Sequence, residues 1–227
     1  MSAPGAEGEG GGPCEGWLAA EVALELPGLR LLSSVIEVGR SGSLTGDSPP
    51  DVQARLRELS NRVRGARAIG IRREPLPAAY RVFFRQVGVD PDVDRTPIEE
   101  AVLERMLHGG FLSGGMLEDI LLVALLDTGV PVWALDADTV EGPLGIRLSS
   151  DGERLGRGAD PPLLPAGRLV VADGESALAV LFGERAPGHC ARRGTVRLAL
   201  FTVQVPGVPE LFAEEALWSA ANALRAS

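Results

Sequence analysis

Two aspartates two residues apart, Asp136 and Asp138, stand in the stretch GVPVWALDADTVEGPLGIR over residues 129–147. Paired acids can exchange protons with a substrate or hold a metal ion. Beside a turn, aspartates also accept hydrogen bonds from neighbouring backbone N–H groups, and that structural role is the expectation for both here. Arg147 ends the following strand and is expected to partner one of these acids rather than a substrate. Further on, His189 and Cys190 are adjacent, the residue types of a thiol nucleophile and its base. Chain neighbours rarely point at each other and no third residue orients the pair, so a loop thiol is expected. Arg192 and Arg193 follow and could bind a phosphate or carboxylate, with surface solvation the simpler expectation. Glu153, in Asp-Gly-Glu, reads as a solvated hairpin tip. His108 reads as the last residue of a helix, where positive charge is favourable. Glu184, in LFGE, reads by itself as an exposed turn glutamate. No phosphate-binding loop, dinucleotide fingerprint, His-Glu-x-x-His, CxxC pair or Gly-x-Ser-x-Gly pattern occurs.

The elements that must position these groups follow from periodicity and turn chemistry. Residues 1–15 form a Gly/Glu-rich tail that buries too little apolar surface to offset its ordering entropy, so disorder is expected there, with one domain over 16–227. Two strands are expected next, broken at Pro27-Gly28. Ser48-Pro-Pro-Asp51 starts a helix, with Ser48 as the cap and Pro49 in its first position. Val52, Leu56, Leu59 and Val63 then make one apolar stripe, with Arg55, Arg57, Arg62, Arg64 and Arg67 off it. Pro77–Gly88 is a second helix. Thr96-Pro97 with Glu100 caps a third, which runs to His108 and stops at Gly109-Gly110. Further helices are expected over about 116–126 and 210–224, with strands and Gly/Pro/Asp turns between Val130 and Val205. Helices, then strands, then a helix again indicate an α+β domain of mixed or antiparallel sheets packed with helices.

The residue 129–147 stretch resembles the B3/B4 domain of the bacterial phenylalanyl-tRNA synthetase β chain, in which a Gly-x-Pro strand runs into Asp-x-Asp and a Glu-Gly turn. Asp119, Asp127, Gly129 and Pro131 keep that family's spacing. The segments SSDGERL and LPAGRLVVADGESALAVLFGE look like its later turns and strands. Thr195 stands where the family begins a further strand, and VALELPGLRLLSSVIEVG and VPGVPELFAEEALWSAANAL resemble the ends of freestanding members. The resemblance thus spans roughly residues 20 to 225. It implies editing: hydrolysis of a mischarged aminoacyl ester at the 3′ end of tRNA, by a site that reads the tyrosine hydroxyl. It places Glu184 as the carboxylate that accepts from that hydroxyl, with Gly183, Trp133, Gly115 and Thr195 around the same pocket. The sequence departs from the family where Trp133 replaces a His and where Gly115 and Leu122 replace two Asn. Only Gly183 remains of the paired glycines, near Val180 and Leu181. Those exchanges imply a drier pocket, and no catalytic residue is assigned. Three functions stay open: an editing hydrolase acting in trans, a noncatalytic module binding tRNA or an amino acid, and a small-molecule hydrolase without RNA.

Charge bears on the first two. The chain has no lysine, and residues 52–85 carry nine arginines against two acids, while the whole chain is at −9. An acidic protein with pI ≈ 4.8 is unsuited to broad binding along phosphate backbones. A tRNA contact would therefore be local and salt-sensitive, through Arg55, Arg62 and Arg64, and DNA is not expected as a partner. The longest apolar run, ILLVALL at 120–126, falls short of the ~18 residues a membrane span needs. With two cysteines and no basic leader, a cytoplasmic protein without disulfides, metal or organic cofactor is expected.

Overall fold

The computed structural model describes residues 12–39, 44–158 and 160–227, with the side chains of all but 66 and 67. It opens with strands β1 (Cys14–Glu15) and β2 (Trp17–Leu18), helix α1 (Ala20–Glu25) and strand β3 (Arg30–Glu37). Five helices follow: α2 (Pro50–Arg62), α3 (Gly65–Gly70), α4 (Pro75–Gln86), α5 (Pro97–His108) and α6 (Met116–Thr128). Then come strands β4 (Val132–Asp136), β5 (Gly145–Leu148), β6 (Leu169–Ala172), β7 (Ala177–Val180) and β8 (Arg197–Gln204), and a closing helix α7 (Glu210–Ala226). The architecture is α+β.

The strands form two four-stranded sheets, ordered β1-β3-β8-β4 and β2-β5-β6-β7. The first is antiparallel throughout; in the second only β2 and β5 run parallel. The chain steps from one sheet to the other at Gly16, where a Cβ would lie 2.4 Å from the Leu144 carbonyl oxygen, so only glycine lets the two backbones meet. Gly145 is constrained alike: the Trp17 indole lies across it, 2.1 Å from where a Cβ would stand. β8 is buried from Leu198 to Gln204, so it reads as a near-continuous apolar run. It pairs along its whole length with β3, and α7 packs over both. α6, apolar nearly all round, lies among α2, α7 and β4. One cluster of buried side chains reaches from Val22 to Leu224 and takes in both sheets, α4, α6 and α7.

Several expectations change locally. Of the tail, residues 1–11 lie outside the described residues; Cys14 and Glu15, expected in it, pair with Ser33 and Leu32. Ala20–Glu25 is a helix, not the first of two strands, since alanine, glutamate and leucine favour helix and Val22 alone needs burial. Ser48 does not cap α2, which begins at Pro50; its hydroxyl donates instead to Asp119. α5 does have a capping box, but Glu99 closes it rather than Glu100, because only the third helical position reaches back to Thr96. The stripe on α2 holds, with Leu56, Leu59 and Val63 buried and Val52 packed against the main core.

Candidate functional site

After β7 the chain reverses within a few residues. The Val180 N–H donates to the Glu184 carbonyl (2.8 Å) and the Gly183 N–H to the Val180 carbonyl (2.9 Å). At the tip stands Phe182 with φ of 58°, a left-handed backbone that no other described non-glycine residue adopts. For a bulky residue this costs about 1–2 kcal/mol. The compensation is aromatic. The Phe182 ring lies 5.3–5.8 Å from the rings of Tyr80, Phe83, Phe84 and Trp133. Trp133 in turn stacks on its cross-strand partner Phe201 at 5.5 Å. Aromatic pairs contribute roughly 0.5–1.5 kcal/mol each beyond their burial, so four contacts outweigh the strained turn. Arg185 ties the turn to β4 by donating to the Ala134 carbonyl at 3.4 Å. Trp133, Phe182, Gly183 and Glu184 thus come together at one end of β4. Glu184 is exposed, and its carboxylate makes no hydrogen bond or ion pair with the described residues.

The other end of β4 is polar and closed on itself. Asp136 is buried and accepts from the Thr195 hydroxyl (2.8 Å) and the Asp138 N–H (3.2 Å), with Arg192 Nε at 3.7 Å. Thr195 also accepts from the Arg192 N–H, so its hydroxyl is engaged within the fold. Asp138 pairs with Arg197 at 3.0 Å. The Thr139 hydroxyl donates to the Asp136 carbonyl (2.8 Å) and lies 3.0 Å from His189 Nδ1, which assigns the imidazole proton to that nitrogen. Burial, then the nearby Arg157 guanidinium, hold the His189 pKa below its ordinary value. The neighbouring thiol turns away: Cys190 Sγ lies 3.5 Å from the Ala186 carbonyl.

The remaining candidates sit elsewhere. Gly115 precedes α6 with φ of 118°, against the backbone of Thr45 and Gly46. Its loop is clamped by buried Asp119, which accepts from Ser48, Ser113 and the Gly114 N–H. Arg147 does not partner Asp136 or Asp138. It forks onto Glu153 at 2.5 and 2.8 Å, and Glu153, expected in solvent, is half-buried with its pKa held below the usual carboxylate range by that pair. The tight turn at Ser150, whose carbonyl accepts from the Glu153 N–H and whose N–H donates to the Glu153 carboxylate, brings these two together. Arg55 is bound by Asp127 and Glu58, which together raise its pKa, and Arg62 lies 3.7 Å from the same Asp127. Arg64 donates to Asn61. His108 holds its helix end through the Glu104 carbonyl.

Phe182 and Arg185 escape sequence reading. A phenylalanine gives no signal of a left-handed backbone; the only hint is its place before Gly183 in a four-residue reversal. Among the described residues no group of three or more His, Cys, Asp or Glu is arranged to hold a metal, and no helix is long and apolar enough to cross a membrane.

What fold and site define is an α+β protein in which an aromatic cluster stands beside the exposed Glu184 carboxylate. No protein-family model matches the chain. A stretch of 88 residues, 39% of the chain, is 38% identical to the phenylalanine–tRNA ligase beta subunit of Xylella fastidiosa and covers 10% of that protein. The same subunit from Xanthomonas euvesicatoria is 38% identical over 86 residues, and that from Xanthomonas oryzae 40% over 68, or 8% of its length. The chain therefore carries a region similar to phenylalanine–tRNA ligase beta subunits, and the match spans about a tenth of those relatives.

Proposed function

We propose that this chain is a B3/B4-type module that receives the aminoacylated 3′ end of a tRNA and hydrolyses a mischarged ester there in trans. The observation that carries the reading is the Glu184 carboxylate, left unpaired on a strained turn beside the Trp133–Phe182 rings. An aromatic side chain laid on those rings would bring a phenol O–H to a carboxylate that has no other partner. Such a reader rejects the analogue lacking the hydroxyl, because its own polar group would then be desolvated without a bond. In the reaction, water attacks the ester carbonyl, the bond to the ribose oxygen breaks, and that oxygen takes the proton the water loses. The amino acid leaves as its carboxylate, and the water's second proton passes to solvent. Binding of the RNA is local: Arg55 is held in ion pairs, and in the arginine-rich segment the exposed Arg57, Arg64, Arg72 and Arg73 are in no ion pair with a described residue and offer their charge to phosphate.

One observation favours a second reading, in which the module holds the aminoacyl end without hydrolysing it. Trp133, at the family's His position, packs between Phe182 and Phe201, and its indole is no proton-transfer group. A deacylation assay on a panel of mischarged tRNAs separates the two. The first reading predicts release by the parent protein and its loss in Glu184→Ala. Binding of the same tRNAs with no release by either protein would leave the second.

A further inference from the structure

The chain has three tryptophans, and the fold employs two of them. Trp17 lies across Gly145 and donates to the Pro143 carbonyl, and Trp133 packs between Phe182 and Phe201. Trp218 is left over. It stands on the solvent face of α7, 67% exposed, and among the described residues it makes no ring contact and its N–H no hydrogen bond. Leu211, equally exposed, lies seven residues earlier and therefore two turns away on the same face. Lone apolar side chains at a surface are ordinary, whereas an unpartnered indole is the kind of group that anchors an interface.

A receptor for such a side chain lies on the same helix. Where α2, α6 and α7 meet, a groove of about 180 Å³ is floored by Val52, Ile120, Val123 and Ala223. That volume falls below the roughly 300–1,000 Å³ of small-molecule pockets and suits one large side chain. Arg55 stands at its edge with its charge already met by Asp127 and Glu58. Asp51 stands there too, and its carboxylate has no hydrogen bond or ion pair with the described residues. An indole answers both features, since its rings are apolar and its one polar atom is a donor. Trp218 does not reach the groove of its own molecule: Ser219 and Ala223 line it about 100° and 140° further round the helix.

We infer that this face is the contact of a two-fold dimer, in which Trp218 of each copy seats in the α2–α6–α7 groove of the other and donates to its Asp51 carboxylate. A two-fold axis in the contact plane, midway between indole and groove and across the line joining them, exchanges the two, so the contact is made twice. Trp218 and Ala223 are only about 7.5 Å apart along the helix, so both contacts fall in one patch. Leu211 extends that patch along α7. Two indoles bury about 150–250 Å² each, which places the interface at the low end of the ~1,200–2,000 Å² of stable complexes. The dimer therefore forms and parts with concentration. None of these residues belongs to the Glu184 site, and the assignment does not rest on the aminoacyl-ester reading.

Sedimentation velocity of the full chain over a concentration series tests this, with circular dichroism to check that each variant is folded. The parent passes from monomer to dimer as concentration rises. Trp218→Ala, a change at an exposed position, raises the dissociation constant at least about 100-fold, because two anchors are lost at once. Ser219→Arg keeps the indole, obstructs the groove and has the same effect. Asp51→Ala raises the constant about tenfold through the two lost acceptors. Leu24→Ala, which removes a still more exposed apolar side chain on α1, leaves it as in the parent. A parent that is monomeric throughout, a dimer that survives Trp218→Ala or Ser219→Arg, or one indifferent to Asp51→Ala overturns the assignment.

Discussion

The two ends of β4 each have a carboxylate beside them and treat it oppositely. At the Asp136 end, the buried carboxylate is met by a hydroxyl, a backbone N–H and a guanidinium, and Thr195 is used up in holding it. At the Trp133 end, rings close over one another and a single carboxylate, Glu184, is left facing solvent. Both ends carry residues that the resemblance marks as pocket-forming. What separates them is satisfaction: a polar group with all its bonds made inside the fold is scaffold, and one left open on a strained support is available to a ligand.

That contrast can be broken by substitution. Asp136→Ala should have the largest effect, about 3 kcal/mol in urea unfolding, because it strands the Thr195 hydroxyl and the Asp138 N–H in a buried site. Glu184→Gln should change stability by less than about 0.5 kcal/mol in the same experiment. If the two costs are alike, the division between the ends of β4 fails.

At the aromatic end, Phe182→Ala should cost about 2–3 kcal/mol from the lost ring packing. Phe182→Gly should cost less than Phe182→Ala, inverting the usual order, since glycine accepts φ of 58° freely. Equal or greater loss with glycine would show that the turn is not strained.

Acid sharpens the comparison at the polar end. The His189 pKa is depressed in the fold, so the unfolded chain binds the proton more readily. Stability therefore rises with pH up to about 6.5 and is lost as pH falls from there through the folded value. His189→Gln should flatten that window, seen as Tm against pH. A second loss at lower pH belongs to Glu153, whose depressed pKa makes its contribution present above the ordinary carboxylate range and lost below it; Arg147→Ala should remove it.

The smallest effect is expected at the surface. Arg55→Ala should lower stability by less than about 1 kcal/mol, being a partly exposed pair. It should also weaken tRNA binding less than Arg72→Ala/Arg73→Ala, because its charge is already met by Asp127 and Glu58. Filter binding across a salt series distinguishes them.

Much of this was legible in the chain itself. Apolar spacing located α2, α5, α6 and α7 because each buries one stripe or its whole circumference, and the turn residues marked the strand-rich stretch from Val130 onward. The α+β class followed from that order. Asp136 showed its structural role through its place beside a turn. What sequence could not supply were contacts set by the path of a turn and by distant elements. Arg147 meets Glu153 and not the aspartates; Arg81 reaches Asp92 and Glu99 from another helix; Ser48 answers Asp119 across 71 residues. The Phe182 turn was hidden for another reason: its backbone is held by four rings from two elements, α4 and β4, neither near it in the chain.

The central claim is that Glu184 reads a hydroxyl on the substrate. The direct measurement is the rate of deacylation of tyrosyl- and phenylalanyl-tRNA(Phe) by the parent protein and by Glu184→Gln. The account predicts that the parent releases tyrosine at least about 100-fold faster than phenylalanine, and that Glu184→Gln loses most of that ratio while remaining folded. Equal rates for the two esters, or a ratio that survives the substitution, would contradict it.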